Sequence, residues 1–227
     1  MIMYVSEQWQ TLLAMTADHI IMSAVAILIA TIVGITLGIV SSKVRWLARP
    51  VLLLVNTIQT IPALAMFGLL MPIVGIGAKA GITALVLYAI LPVLKNTYTG
   101  ITGVDRSLLD AGRGIGMTEF QLLKKVELPL AIPVMMAGIR TSAVLTVGLA
   151  TIVALIGGSG LGKIVFQGIS RVDNIEIMAG ALLAAGLSFA VDGLFGKLQA
   201  RLSWQREREV CDGDGVSCVP QRAVSQD

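Results

Sequence analysis

Residues 157–164, GGSGLGKI, are the stretch whose residue types and spacing most suggest chemistry, and that chemistry would be phosphate binding. Gly157, Gly162 and Lys163 fall on the fixed positions of a G-x-x-x-x-G-K loop, whose backbone amides and lysine cradle ATP phosphates while a following Ser or Thr holds Mg²⁺. Here Ile164 stands where the hydroxyl belongs. The preceding VMMAGIRTSAVLTVGLATIVALI has the length and composition of a membrane span, not of a strand, and no acidic metal-binding strand end follows. The sequence therefore predicts no ATP binding here. The glycines read instead as a turn that leaves one helix and begins a short amphipathic segment, KIVFQGISRVDN.

The remaining candidates for chemistry are poor. His19 is the single histidine, and no His, Cys and acid arrangement recurs at a useful spacing. Cys211 and Cys218 lie in a polar tail at a spacing that fits no zinc motif. DGDGV in that tail begins like a calcium loop but lacks the further ligands and the closing Glu. The expectation is a chain that is not an enzyme and binds no metal or cofactor of its own.

The elements that would carry these residues are membrane helices. Of 227 residues, 56% are hydrophobic and only 14% charged, against about 25% charged in an average soluble domain; mean hydropathy is +0.85. Apolar stretches at about 20–41, 51–72, 76–99, 134–157 and 177–198 are each long enough to cross the bilayer as a helix. The fold class is all-α and polytopic, with five spans. Residues 1–19 read as an external interfacial segment anchored by Trp9, not as a cleavable signal peptide; residues 20–202 form the membrane domain, and 203–227 a disordered tail. Gly34 and Gly38 form a GxxxG pair suited to close helix packing.

Lys and Arg set the orientation. With the N-terminus outside and the C-terminus inside, 14 of the 17 basic residues fall in cytoplasmic segments, leaving Lys79, Lys163 and Arg171 outside. This scattering between spans forms no basic stripe, so nucleic acid is not an expected partner; the bilayer is. Lys95, Arg140 and Asp192, at the inner ends of later spans, are expected to snorkel to the interface or to sit in a wet cavity.

One cytoplasmic loop, about 103–133, is too long for a minimal connection. Asp105 precedes a short helical run that ends in Gly114 and Gly116; Thr118 is placed to cap a second helix, with Pro129 as its stop. Two short helices on the cytoplasmic face make a docking knob.

At this loop the chain resembles the membrane-spanning permease subunit of bacterial ABC importers. That family's signature has Glu-Ala-Ala, a glycine six residues after the Glu, and a later Ile-x-Leu-Pro. Asp110, Ala111, Gly112, Gly116, Val126, Leu128 and Pro129 fall on these positions in register, departing from it with Asp for Glu, Gly for the second Ala and Val for Ile. Over roughly residues 10–200, DHIIMSAVAILIATIVGITLGI, NTIQTIPALAMFGLLMPIVGIG, LPVLKNTYTGI and LIGGSGLGKIVFQGI are similar to the subgroup importing glycine betaine, carnitine, choline and related osmoprotectants. The resemblance implies a type I ABC importer permease fold in a bacterial cytoplasmic (inner) membrane. It also implies cytoplasmic ABC ATPase subunits that bind ATP-Mg, a second permease subunit, and an extracytoplasmic substrate-binding protein. The helix at about 107–116 would be the coupling helix, with Asp110 touching the ATPase or capping its own loop.

No aromatic cage for a quaternary ammonium is evident in the sequence, which leaves selectivity to the binding protein. Asn56, Gln59, Thr60 and Asn96 would line the path or serve as hydrogen-bonding packers between helices. Alternatives are the same architecture carrying an amino acid or a sulfonate, and an autonomous secondary transporter or channel. The latter finds no inverted repeat to support it.

Overall fold

The computed structural model describes residues 2–214. The elements are α1 (Ile2–Lys43), α2 (Arg45–Thr60), α3 (Ala63–Val74), α4 (Ala78–Thr102), α5 (Arg106–Gly114), α6 (Glu119–Leu122), a π-helical turn (Leu123–Glu127), α7 (Leu128–Ala150), a 3-10 turn (Ile152–Ile156), α8 (Leu161–Arg171) and α9 (Asn174–Asp214). Among the described residues there is no strand. Four helical segments among the described residues are long and apolar enough to cross a membrane, and α2 with α3, a bent pair, make a fifth if taken as one span.

α4 is the central post, packed by α1, α7, α2 and α3. Small residues permit the closest contacts. A Cβ on Gly34 would lie 2.8 Å from Val93 Cβ, and one on Gly38 would lie 2.6 Å from Thr97 Cβ, so the GxxxG pair seats α1 directly on α4. Gly138 of α7 meets Asn96 of α4 in the same way, at 2.6 Å. The core fills around Met22, Phe67, Leu85 and Val153 at one level, and around Ala30, Val55, Ile90 and Leu94 at another.

Five expectations are corrected. Residues 2–19 are continuous with the first span: α1 is one helix of 42 residues, about 63 Å at roughly 1.5 Å per residue, and its first half packs Leu12 against Leu161 and Ile164 of α8. His19 is thus buried within a long helix, where Nε2 donates to the Val147 carbonyl at 3.0 Å. Beside it the Ser159 hydroxyl bonds Asp18, so α1 holds the glycine turn.

The second span is not one helix but two, bent by 103°. Pro62 cannot donate to the helix, and its ring forces Ile61 into an extended conformation (φ −70°, ψ 127°). α4 satisfies the break: the Tyr88 hydroxyl donates to Ile61 O, and Gln59 Nε2 donates to Tyr88 O at 3.1 Å.

Pro129 does not stop a helix. The chain stays helical from Glu119 to Ala150, because the π-helical turn absorbs the missing donor. Leu128 N–H reaches back to Leu123 O, and Pro129 then sits in the first turn of α7. The cytoplasmic loop is correspondingly shorter than 103–133.

Arg140 and Asp192 do not snorkel. They meet as a bidentate pair across α7 and α9, at 2.6 and 2.7 Å, where each neutralises the other's charge. Finally, the backbone of α9 continues helically to Asp214, where a tail was expected from 203; residues 215–227, including Cys218, lie outside the described residues.

Candidate functional site

The knob between α4 and α7 is built by local rules. Asp105 caps α5, accepting from Ser107 N at 2.9 Å, and this bond holds its carboxyl below the usual carboxylate range. α5 ends in a Schellman arrangement: Met117 N donates to Gly112 O at 3.0 Å and Gly116 N to Arg113 O at 2.9 Å. The closure needs Gly116 at φ +85°, in the left-handed region that a side chain disfavours. Thr118 then starts α6 with a capping box, exchanging bonds with Gln121 at 2.9 and 3.3 Å.

Two further contacts fold α5 onto α6. Gly112 is buried against Leu122, which is fully enclosed; a Cβ at Gly112 would stand 2.6 Å from Leu122 Cδ2. Arg113 reaches across to Glu119, Nε to Oε1 at 2.9 Å, and back to Asp110 Oδ1 at 3.2 Å. Both carboxylates raise the Arg113 pKa further above its ordinary value, Glu119 the more strongly. The result is a stiff hairpin presenting exposed Ile115 and Phe120, 77% and 71% accessible, at its tip.

The signature positions divide between two tasks. Asp110 and Ala111 are exposed on α5, Gly112 is the contact beneath it, and Gly116 is the turn. Val126, Leu128 and Pro129 stand instead at the foot of α7, where Leu128 packs against Ile101, Ala131 and Met135. They anchor the knob to the bundle rather than extend its surface. Sequence reasoning missed Arg113, Ile115 and Phe120; the i,i+3 spacing of Asp110 and Arg113 was the available signal for the first.

The polar residues suggested for the path also separate. Asn56 and Thr60 are exposed and lie one turn apart on α2, on the face that also carries Arg49. Gln59 is spent on the Tyr88 carbonyl. Asn96 bonds Pro92 O at 2.8 Å and packs under Gly138, inside the α4–α7 contact.

The glycine-lysine stretch is a tight turn packed on the 3-10 segment. Gly157 (φ +83°) and Gly160 (φ +116°) make the expected turn into α8. Gly162 lies so close to the 3-10 turn that its Cβ would stand 1.8 Å from Thr151 O. Glycine is therefore required at 162 by the close approach of the Thr151 carbonyl.

Residues 30–208 match the family model described as "Binding-protein-dependent transport system inner membrane component". The choline transport system permease protein OpuBB of Bacillus subtilis is 41% identical over 192 residues, covering 85% of this chain and 88% of that protein. The glycine betaine/carnitine/choline permease OpuCD of the same organism is 44% identical over 186 residues, covering 82% and 81%. The osmoprotectant import permease OsmW of Salmonella typhimurium is 41% identical over 197 residues, covering 85% and 92%. Among solved structures, the MetNI methionine ABC transporter in inward-facing form superposes with a TM-score of 0.80 at 20% identity, over 86% of this chain and 98% of that one; this likeness speaks to fold. The chain therefore belongs to the family of binding-protein-dependent transport system inner membrane components and has the permease fold of ABC transporters.

Proposed function

We propose that this chain is the permease subunit of an ATP-driven importer of quaternary-amine osmoprotectants such as glycine betaine, carnitine and choline. The observation that carries the reading is its 41–44% identity, over four-fifths of its length or more, to permeases named for those solutes. ATP-Mg is held by separate cytoplasmic ATPase subunits, and this chain binds no cofactor. A binding protein outside delivers the solute and sets selectivity. A second permease subunit, identical or paralogous, completes the path.

In this reading the N-terminus is outside and the C-terminus inside, which puts the α5–α6 knob in the cytoplasm. α5 is the coupling helix. Asp110, Ala111 and Gly116 meet the ATPase together with Ile115 and Phe120, whose apolar side chains fill its cleft. Gly112, Leu128 and Pro129 hold the knob to α7. Because the Schellman turn, the capping box and the Arg113 clamp make the knob stiff, ATPase closure moves it as a body and draws the inner ends of the spans together. The exposed α2 face with Asn56 and Thr60 lines the path, and Gln59 and Asn96 support it from behind.

Reconstitution tests the reading. The tagged chain, purified with the proteins that accompany it, is expected to bring an ATPase and to drive ATP-dependent uptake of labelled glycine betaine, carnitine or choline into liposomes. Uptake of methionine or a sulfonate alone would overturn the cargo, and uptake by the chain without ATPase would overturn the class. For orientation, single cysteines at Arg113 and Arg171, with Cys211 and Cys218 replaced by Ser, should react with an impermeant maleimide from outside only at 171.

A further inference from the structure

Lys95 stands inside the span formed by α4, seven residues short of its end at Thr102. It is exposed, and among the described residues no carboxylate pairs with it. An ammonium at such a depth needs water or a polar partner beside it, since hydrocarbon would not solvate the charge. Tyr88, Lys95, Thr99 and Thr102 recur at i, i+7, i+11 and i+14, one side of a helix. At one end of this side the Tyr88 hydroxyl donates to Ile61 O, at the break between α2 and α3. Toward the knob, Thr99 opens into a cavity of about 430 Å³ walled by Val104, Asp105, Leu108, Leu130 and Val134. α1 packs elsewhere on α4, at Val93 and Thr97, and α7 packs at Asn96 and Gly100. Lys95 therefore faces the cleft between α2 and α7 rather than lipid.

The polar edge of α2 borders the same cleft. Pro92 has no N–H, which frees the Tyr88 carbonyl that Gln59 takes at 3.1 Å, and this contact sets α2 in register beside α4. From that level toward the knob, exposed Asn56 is three residues along α2 and Lys95 seven along α4. At roughly 1.5 Å per residue, Asn56 and Lys95 are about 6 Å apart along the cleft, and Arg49 of α2 lies about one turn beyond Lys95.

We propose that Lys95 recognises the carboxylate of a zwitterionic osmoprotectant within the path, so that glycine betaine and carnitine pass with their carboxylate on its ammonium and their trimethylammonium group toward Asn56. The inference rests on the function proposed above and names the solute class for which its path is built. A carboxylate accepts a charge-assisted hydrogen bond from Lys95. Choline carries the same trimethylammonium group but a hydroxyl in place of the carboxylate. It offers Lys95 only a neutral acceptor, and its net positive charge is repelled by the ammonium. The binding protein selects outside, and Lys95 adds a second selection within the membrane.

The test uses the complete complex in proteoliposomes, with the binding protein saturated in turn by labelled glycine betaine, carnitine and choline, and measures solute moved per ATP hydrolysed. Lys95→Met and Lys95→Gln should lower the values for glycine betaine and carnitine about tenfold, the loss of one hydrogen bond to a charged group, and should leave choline unchanged or raised. Lys95→Arg should keep the wild-type preference. Equal losses for all three solutes would mark Lys95 as structural and overturn the inference, as would wild-type values for all three. A wild-type complex that imports choline but neither zwitterion would also overturn it, while leaving the importer standing. Import of none of the three would instead overturn the proposed function, and this inference with it.

Discussion

Gly162→Ala offers a sharp test of how the outer end of the bundle is built. A methyl group on Gly162 would stand 1.8 Å from Thr151 O and 2.6 Å from Thr151 C. Ordinary van der Waals separation requires α8 and the 3-10 turn to part by roughly 1.5 Å. The obstacle is backbone, so no rotamer change relieves it. Parting them also loosens Leu161 and Ile164, buried against Leu12 of α1. Overpacking costs about 1–3 kcal/mol where neighbours can adjust; with a rigid neighbour we expect the top of that range, about 3 kcal/mol. For a chain of this size that lowers the thermal midpoint by roughly 6–12 °C. The assay is thermal unfolding of the purified full-length protein in detergent, with Gly148→Ala as control, because nothing lies within 4 Å of a Cβ there. A Gly162→Ala midpoint no lower than the control's would refute the packing argument.

The other predictions concern the helix contacts and the knob. Gly38→Ala should destabilise the fold through Thr97, and Thr97→Gly should recover part of the loss; a double-mutant cycle on thermal midpoints measures the coupling. Arg140→Ala should reduce the yield of monodisperse protein more than the double change Arg140→Ala with Asp192→Ala, because the single variant leaves a carboxylate unpaired among membrane helices; equal yields would show the pair to be dispensable. Asp105 has a folded pKa below its unfolded value, so its cap on α5 is fully present above the ordinary carboxylate range and is lost as pH falls through the lowered pKa. Hydrogen exchange at the Leu109 amide should therefore stay slow through neutral and mildly acidic pH, and should rise severalfold in Asp105→Ala at neutral pH.

Hydropathy made the spans legible, and local chemistry made the knob legible, because Asp105, Gly116 and Thr118 act on backbone groups within a few positions of themselves. Two prolines show where that reading ends. Pro62 and Pro129 both lie in apolar helical sequence; one breaks the helix by 103° and the other is absorbed in a π-helical turn. The difference is not local. At Pro62 the freed groups find Tyr88 on α4, whereas at Pro129 the chain's own Leu123 carbonyl accepts the displaced bond. The ion pairs Lys43–Glu127 and Arg140–Asp192 join residues 84 and 52 positions apart, so their members read singly as interfacial charges. The departure from the family signature at Gly112 gains its reason only in three dimensions: Leu122 occupies the volume an alanine methyl would need.

The same close contacts constrain how a permease of this shape can move. Gly34 and Gly38 fix α1 on Val93 and Thr97 of α4, and Gly138 fixes α7 on Asn96 and the Pro92 carbonyl of the same helix. Sliding either partner along α4 would bring other side chains to positions where not even a methyl group fits, so α1, α4 and α7 behave as one body. α2 and α3 are joined to that body more lightly, with Gln59, Tyr88 and Ile61 supplying the polar link at the break. Alternating access then has two mechanical sources within the protomer: rotation of the three-helix body as a unit, and hinging of the bent pair against it. The knob joins the body at the foot of α7, through the π-helical turn, and Lys43 of α1 pairs with Glu127 there. Under the proposed function, a pull on the knob would turn the body first, and α2, which carries Asn56 and Thr60 on its exposed face, would follow through the Tyr88 link.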